Sequence, residues 1–419
     1  VLELSTNASQ AGLSTEMGGR VKVSPMTERV VKPVGRGFLF LDSHPAGCAR
    51  VVREMAAEVP GRTAERRTAL VIGSSSGYGL ATTIAGLARY GIDGIGICFE
   101  KAPTARRTAT AGWYRTAETA ALAAELGRSW SFVNADAFAD TTKDEVLDLV
   151  AEQLGGIDHL VYSVAAPRRT DPRTGETYQS VLKAIGAEHT TKSLAFDDGA
   201  PVLQEVGIEV ATDDEIAQTV KVMGGEDWTR WITALQDRDL LKPGFNTVAL
   251  TYIGSELTGP LYRQGSIGAA KADLEQTALK LAADGVTAMT SVNGAAVTQA
   301  SSAIPGIGLY VSLLHKVTGL QTPVEQSIAL WDQLTGEAPL DRDDEGRIRL
   351  DRWELNDDVQ SAVRAQWESA TQDNIAEVAD AAWFLTEVRR LYGFDVPDVD
   401  YAAETEVDVE WPAATVTGA

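Results

Sequence analysis

The chain has 419 residues, of which 44% are hydrophobic and 23% charged, and its formal net charge is −22. That length suits about two or three domains or one large α/β unit, and the apolar fraction is ample for a buried core. The acidity argues against a nucleic-acid partner, which needs a basic surface, but not against a small phosphorylated ligand, for which a few local cations or a helix N-terminus are enough.

Residues 1–25, "VLELSTNASQAGLSTEMGGRVKVSP", have neither a basic nor an apolar region of the signal-peptide kind. They are expected to be a disordered leader, with Met26 as the natural start of one domain running to residue 419. A short strand region is expected over 29–42 and a helix over 46–58, closed by Pro60-Gly61. "TALVIGSSSGYGLATTIAGLARYG" (68–91) reads as strand, glycine turn and helix. "IDGIGICFEK" is a second strand, and "SWSFVNADAF" carries a third. "KDEVLDLVAEQLGGIDHLVYSVAAP" is a helix followed by a fourth strand ending near Ser163. Strands alternating with helices at this pitch imply βαβ units and a parallel sheet. The stretch from 168 to 245 is more polar and less regular, as an insertion with a hairpin or small helices would be. "FNTVALTYIG" (245–254), a helix over 266–284 and "AMTSVNGAAV" (288–297) supply a fifth strand, its crossover and a sixth strand. The expected fold is therefore α/β: a doubly wound parallel Rossmann sheet over about 68–300, with an N-terminal addition and a helical C-terminal portion over about 300–419. In that portion "IPGIGLYVSLLHKV" (304–317) reads as a buried or substrate-lining helix, too short to span a membrane.

Only Cys48 and Cys98 are present, too few for a disulfide framework, which fits a reducing, cytoplasmic compartment. His44, His159, His189 and His315 are scattered and form no metal-ligand spacing or His-based triad.

"GSSSGYG" places Gly73, Gly77 and Gly79 after the apolar strand "ALVI" and at the start of a helix. Glycines there let the backbone turn tightly and approach a pyrophosphate, while helix N–H groups favour its charge. Ser74, Ser75 and Ser76 can add hydroxyl donors. Glu100 ends the next strand, at the distance where an acid bonds the adenosine ribose; a solvated strand end is the alternative. Asp136 ends the third strand, placed to bond adenine or to cap a helix. Small residues from Ser163 to Pro167 suit backbone packed beside a cofactor. All of these fall on one carboxyl edge of the sheet, where ligands bind in open α/β folds.

"TYIGSELTGPLYRQGSIGAAK" (251–271) sets Tyr252, Tyr262 and Lys271 apart by spacings that one helix would not bring together. Nine residues advance roughly 900° on an α-helix, which puts Tyr262 and Lys271 on opposite faces. Either the spacing is accidental, or Gly265, Ser266 and Gly268 break the helix between Arg263 and Gly268 and let both side chains enter one cleft.

The glycine pattern with a downstream Tyr and Lys resembles the short-chain dehydrogenase/reductase superfamily. The two tyrosines and the Tyr-x8-Lys spacing are similar to the FabV-type trans-2-enoyl-CoA / enoyl-acyl-carrier-protein reductases. "KPVGRGFLFLDSHPAGC", "GSSSGYGLA", "TAGWY", "SVAAPRRTDPRTGE", "TVKVMGGEDW", "YRQGSIGAAK", "VTQASSAIPG" and "LYGFDVPDVDY" all look like that family, from Met26 to about Trp411. The departure is "PTARRTAT", where Arg106 and Arg107 lie near the cofactor acid. The resemblance implies NADH-dependent reduction of an enoyl thioester carried on coenzyme A or acyl carrier protein, with no nucleic-acid or membrane partner and a monomer as the working expectation. It implies Tyr262 as donor to the developing enolate, Lys271 as its partner and a cofactor ligand, and Tyr252 as a substrate contact. A nearby lysine is expected to lower the Tyr262 pKa. The implied cofactor contacts are Gly73, Ser74, Ser75, Ser76, Gly77, Tyr78, Gly79, Phe99, Glu100, Asp136, Ala137, Val164, Ala165, Ala296, Val297 and Thr298. The basic run Arg168, Arg169 and Arg173 is either a solvated loop or a contact for phosphates or an acidic carrier. The rivals are a carbonyl reductase of the same superfamily, which would carry Tyr-xxx-Lys, and a non-catalytic dinucleotide sensor.

Overall fold

The computed structural model describes residues 28–61, 66–299 and 304–412, so the expected leader lies outside the described residues. An N-terminal helix α1 (Pro45–Ala57) precedes strand β1 (Thr68–Ile72). There follow α2 (Gly77–Ala88), β2 (Asp93–Cys98), α3 (Ala111–Glu125), β3 (Trp130–Asn134), α4 (Asp140–Leu149) and β4 (Ile157–Tyr162). After the insertion come β7 (Leu241–Thr251), the short α7 (Gly259–Tyr262), α8 (Ser266–Ala283) and β8 (Thr287–Val292). The insertion itself carries the hairpin β5 (His189–Asp197) and β6 (Ala200–Ile208), then α5 (Asp213–Met223) and α6 (Glu226–Asp237).

Among the described residues the sheet has seven strands, including β9 (Ile348–Arg349), in the order β9-β8-β7-β4-β1-β2-β3, every neighbouring pair parallel. Its strands read as apolar runs because both faces are covered, and alternate residues serve different cores. Leu70 and Ile72 of β1 pack with Val146, Trp228, Trp231 and Leu274, from α4, α6 and α8. Ala69 and Val71 face the other way, toward Leu87 of α2 and Trp331. Trp331 belongs to α10 (Pro323–Leu334), and its indole N–H donates to Thr82 O at 2.8 Å, which ties α10 to α2. The chain moves outward from β1 to β2 and β3, then returns to β4 on the other side of β1. The crevice above β1 and β4 is the topological switch point, where ligands bind in such sheets.

A third core covers the strand ends on the side of β7 and β8. It combines Leu194 and Ile208 of the hairpin, Tyr310 and Leu313 of α9 (Ile307–Thr318), Val363 of α11 (Asp357–Ser369) and Phe384 of α12 (Ala381–Arg390) with Leu261 and Tyr262. Burying one such large apolar side chain stabilises the fold by about 1.5–3 kcal/mol, so this layer holds α7 firmly.

Three expectations are corrected. The sheet has a seventh strand, β9 (Ile348–Arg349), within the portion read as helical; two residues show no alternation to read. β7 starts at Leu241, not Phe245, because Pro243 and Gly244 disguise it and its register with β4 shifts between Leu241 and Asn246. β8 ends at Val292, and 293–298 is loop. Among the described residues no helix is long and apolar enough to cross a membrane.

Candidate functional site

At the switch point the backbone itself shapes the site. Gly73 and Gly77 have φ of +92° and +54°, a region that side-chain-bearing residues avoid. A Cβ on Gly73 would stand 2.0 Å from Ser163 O, and one on Gly79 would stand 1.9 Å from Gly73 O. At Gly77 the nearest atom to such a Cβ is Thr298 Cγ2 at 3.6 Å, an ordinary contact, so the loop after β8 lies close to the start of α2. Ser76 is the N-cap of α2 and makes no side-chain capping bond, which leaves first-turn N–H groups for an anion. The other two serines are used internally. Ser74 Oγ donates to Ile97 O at 3.3 Å, and Ser75 Oγ to Glu100 Oε1 at 2.6 Å.

Glu100 follows β2, with Phe99 beside it 77% exposed. Its other carboxylate oxygen accepts from Thr110 Oγ1, and a Cβ on Gly112 would meet Oε1 at 2.0 Å. The carboxylate therefore sits over the first turn of α3, where the helix dipole favours it. Arg107 is paired with Asp42 at 3.5 Å, while Lys101 and Arg106 are exposed. Asp136 is not a helix N-cap. Ala139 has that position, and Asp136 Oδ1 accepts from Phe138 N at 3.0 Å in a local turn. That turn is held from behind by Lys143 Nζ, which donates to Ala137 O (2.8 Å), Phe138 O (3.2 Å) and Asp227 Oδ1 (2.8 Å). Sequence reasoning missed this buried pair, since Lys143 and Asp227 lie far apart in the sequence and only the fold brings them together. Val164 is half-buried against the core and Ala165 is exposed at the end of β4. In the basic run, Arg169 is buried, Arg168 is exposed on a short strand (Arg168–Thr170), and Arg173, exposed in the turn that follows, pairs with Asp171 at 3.1 Å.

The break in the Tyr–Lys segment is present. α7 ends at Tyr262 and α8 begins at Ser266, and a Cβ on Gly268 would lie 2.3 Å from Arg263 O. Across this break Lys271 Nζ lies 6.0 Å from the Tyr262 ring centroid and donates to Thr251 Oγ1 at 3.0 Å. The Tyr252 ring meets the Tyr262 ring edge-on, with centroids 4.8 Å apart. Lys271 retains some exposed surface, but protein surrounds its ammonium, and this burial, helped by Arg263 and opposed by Glu275, lowers its pKa to about 8. The Tyr262 pKa is raised, not lowered as expected. Burial comes first and the negative charge of Glu354 second, while the lysine is engaged with Thr251.

Ala296, Val297 and Thr298 sit in the loop after β8, which three elements pin. Tyr78 OH donates to Gly294 O, Gln326 Oε1 accepts from Gly294 N at 2.8 Å, and Glu354 Oε2 accepts from Ala295 N at 2.5 Å. Tyr78 is thereby a support for this loop. Glu354 is fully buried, and its Oε1 also accepts from Tyr252 OH and Tyr310 OH, each at 2.8 Å. Burial pushes its pKa up to about 7 against these hydrogen bonds. Nothing in "RWELND" marks this glutamate in the sequence; only the fold brings it under the tyrosines.

A doubly wound parallel sheet with a glycine turn at its switch point defines a dinucleotide-binding α/β fold of the Rossmann type. Residues 30–105 match the NAD(P)H binding domain of trans-2-enoyl-CoA reductase, 107–337 the trans-2-enoyl-CoA reductase catalytic region, and 342–405 the enoyl reductase FAD binding domain. The enoyl-acyl-carrier-protein reductase (NADH) of Streptomyces avermitilis is 62% identical over 392 residues, 91% of this chain and 100% of that protein. The trans-2-enoyl-CoA reductase (NADH) of Clostridium perfringens is 41% identical, covering 90% of this chain and 99% of that protein. The crystal structure of Clostridium acetobutulicum trans-2-enoyl-CoA reductase in complex with NADH superposes with a TM-score of 0.85 at 34% identity, covering 91% and 98% of the two chains. The chain belongs to the trans-2-enoyl-CoA / enoyl-acyl-carrier-protein reductase family.

The glycine turn, with its open helix start at Ser76, fits a dinucleotide. The 342–405 segment does not fit a flavin. Its helix starts carry their own carboxylates, Asp357, Asp358 and Asp380, and Asn356 already caps α11. Arg347, Arg349 and Arg352, which could bind a diphosphate, pair with Asp343, Asp351 and Asp341.

Proposed function

We propose that the protein is an NADH-dependent reductase of the trans-2 double bond of enoyl thioesters, carried on coenzyme A or acyl carrier protein. The observation that carries this reading is the convergence of Tyr262 and Lys271 across a helix break, beside the loop at 293–298 and in line with the glycine turn. The site residues take these roles. Gly73 to Gly79 would hold the pyrophosphate, Glu100 the adenosine ribose, and the Asp136–Ala137 turn the adenine. Val164, Ala165 and Ala296 to Thr298 would line the nicotinamide end. When bound, the dihydronicotinamide supplies a hydride to Cβ of the enoyl group. Negative charge then collects on the thioester oxygen, and Tyr262 donates a hydrogen bond there. Its raised pKa keeps the proton in place at neutral pH. Lys271 lends positive charge to the same cleft and would hold the nicotinamide ribose, while Tyr252 walls the substrate side. One proton taken up at Cα completes the saturated acyl thioester. A cytoplasmic site of action fits two cysteines that are both free and buried. The test is to mix the protein with crotonyl-CoA and NADH and follow the nicotinamide absorbance. Loss of absorbance with formation of butyryl-CoA is expected, and no turnover with either thioester carrier would refute the reading.

A further inference from the structure

Tyr252 and Tyr262 stand ring against ring at the same cleft, yet their hydroxyls are in different situations. A carboxylate accepts hydrogen bonds and donates none. Tyr252 OH and Tyr310 OH both reach Glu354 Oε1 at 2.8 Å, so with Glu354 ionised each must spend its proton on it. Among the described residues the Tyr262 hydroxyl makes no hydrogen bond, so its proton is available to a ligand. The second oxygen of Glu354 holds Ala295 N at 2.5 Å, directly before the loop assigned to the nicotinamide. The neighbouring Trp353 approaches Gly294 so closely that a Cβ there would meet its ring at 2.7 Å. A fully buried carboxylate is costly in an apolar layer unless its bonds are needed, and here it serves three donors from three separate elements.

We propose that Glu354 is a positioning residue that decides which tyrosine serves as oxyanion donor: it ties down the proton of Tyr252, leaves Tyr262 as the donor, and fixes the nicotinamide loop through Ala295. The C-terminal segment, on this view, completes the hydride-transfer site. The inference rests on the assignment of Tyr262 made above. The groups facing Glu354 are Tyr252 from the end of β7, Tyr310 from α9, Tyr262 from α7, Tyr78 from α2 and its own neighbour Asp351. Protonation of Glu354 at low pH would release Tyr252 and loosen the arrangement, giving kcat/KM an acid limb near pH 7, where burial has placed this carboxyl.

The test is the pH profile of kcat/KM for crotonyl-CoA in wild type, Glu354→Gln, Tyr252→Phe and Tyr262→Phe. Glu354→Gln is expected to lower kcat about tenfold, to keep NADH affinity within about twofold, and to remove the acid limb. A limb that persists near pH 7 in a folded Glu354→Gln protein would overturn the proposal. If that variant does not fold, Tyr252→Phe decides. Losing one donor must move the limb to higher pH, and an unmoved limb overturns the proposal. Tyr262→Phe separates the two levels: full turnover in that variant removes the Tyr262 assignment itself, whereas impaired turnover with an unmoved limb in the other variants removes only the role of Glu354.

Discussion

At the glycine turn the site is made of backbone. Gly73, Gly77 and Gly79 contribute no side chain, and what matters is that backbone packs where a Cβ on Gly73 or Gly79 would stand. At the tyrosine end the site is made of buried side chains, with Tyr252, Tyr262, Lys271 and Glu354 drawn from elements as far apart in sequence as β7 and the C-terminal segment. The first end depends on steric room and a fixed dipole, neither of which titrates. The second depends on groups that burial has shifted toward neutrality, Lys271 to about 8 and Glu354 to about 7. Binding of the cofactor and reduction of the substrate should therefore respond to different perturbations, and in different parameters.

The largest expected effect is at the tyrosine end. Tyr262→Phe should lower kcat by about 100- to 1000-fold, the usual loss for one oxyanion donor, while NADH binding stays nearly intact. Near-wild-type turnover of the Phe variant, in steady-state assays with crotonyl-CoA, would remove Tyr262 from the mechanism. The next effect is at the glycine turn. Gly79→Ala places a methyl 1.9 Å from Gly73 O and 3.2 Å from Ser163 Cβ. Overpacking of this kind costs the fold about 1–3 kcal/mol unless the turn shifts, and a shifted turn should weaken NADH affinity roughly tenfold or more, measurable by titrating cofactor fluorescence. An unchanged dissociation constant would mean that the cofactor does not use this turn.

A smaller effect follows from Lys271. Burial lowers its pKa, so the charged form is complete below about pH 8 and is lost as pH rises through that value. The kcat/KM of wild type should fall above pH 8, and Lys271→Ala should be slow and lack that limb. A profile flat to pH 9.5 in wild type would contradict this. Smallest is the cofactor preference. Two like charges about 5 Å apart repel by roughly 3 kcal/mol at an effective dielectric of 20, and solvent screening reduces that. Glu100 lies over α3 with Lys101 and Arg106 exposed nearby, so a preference of about tenfold for NADH over NADPH is expected. Glu100→Ala should narrow it, mainly by improving NADPH use. Equal use of both cofactors by wild type would show that Glu100 does not discriminate.

The same contrast explains what could be read from the sequence. The glycine turn was legible because its determinants are local: an apolar strand, three glycines and a helix within one stretch. The break between Tyr262 and Lys271 was legible because one unbroken helix would put the two side chains on opposite faces. Glu354 was invisible because its partners come from β7, α9 and the loop after β8, and a lone carboxylate in a polar stretch looks solvated. The raised Tyr262 pKa was misjudged for the same reason. The expected neighbour, Lys271, was counted, but it is engaged with Thr251, and burial and the unseen glutamate raise the pKa. Lys143 and Asp227 likewise find each other only through folding. The strand β9 escaped because two residues carry no period.

The most direct test of the division between the two ends is a paired measurement on Gly79→Ala and Tyr262→Phe: NADH affinity by titration, and single-turnover oxidation of NADH by crotonyl-CoA at saturating cofactor. Gly79→Ala should weaken affinity about tenfold or more while its single-turnover rate stays close to wild type, and Tyr262→Phe should bind NADH normally and lose its rate by at least about 100-fold. If both variants lost affinity and rate together, the two ends would not be separable and this account of the site would be contradicted.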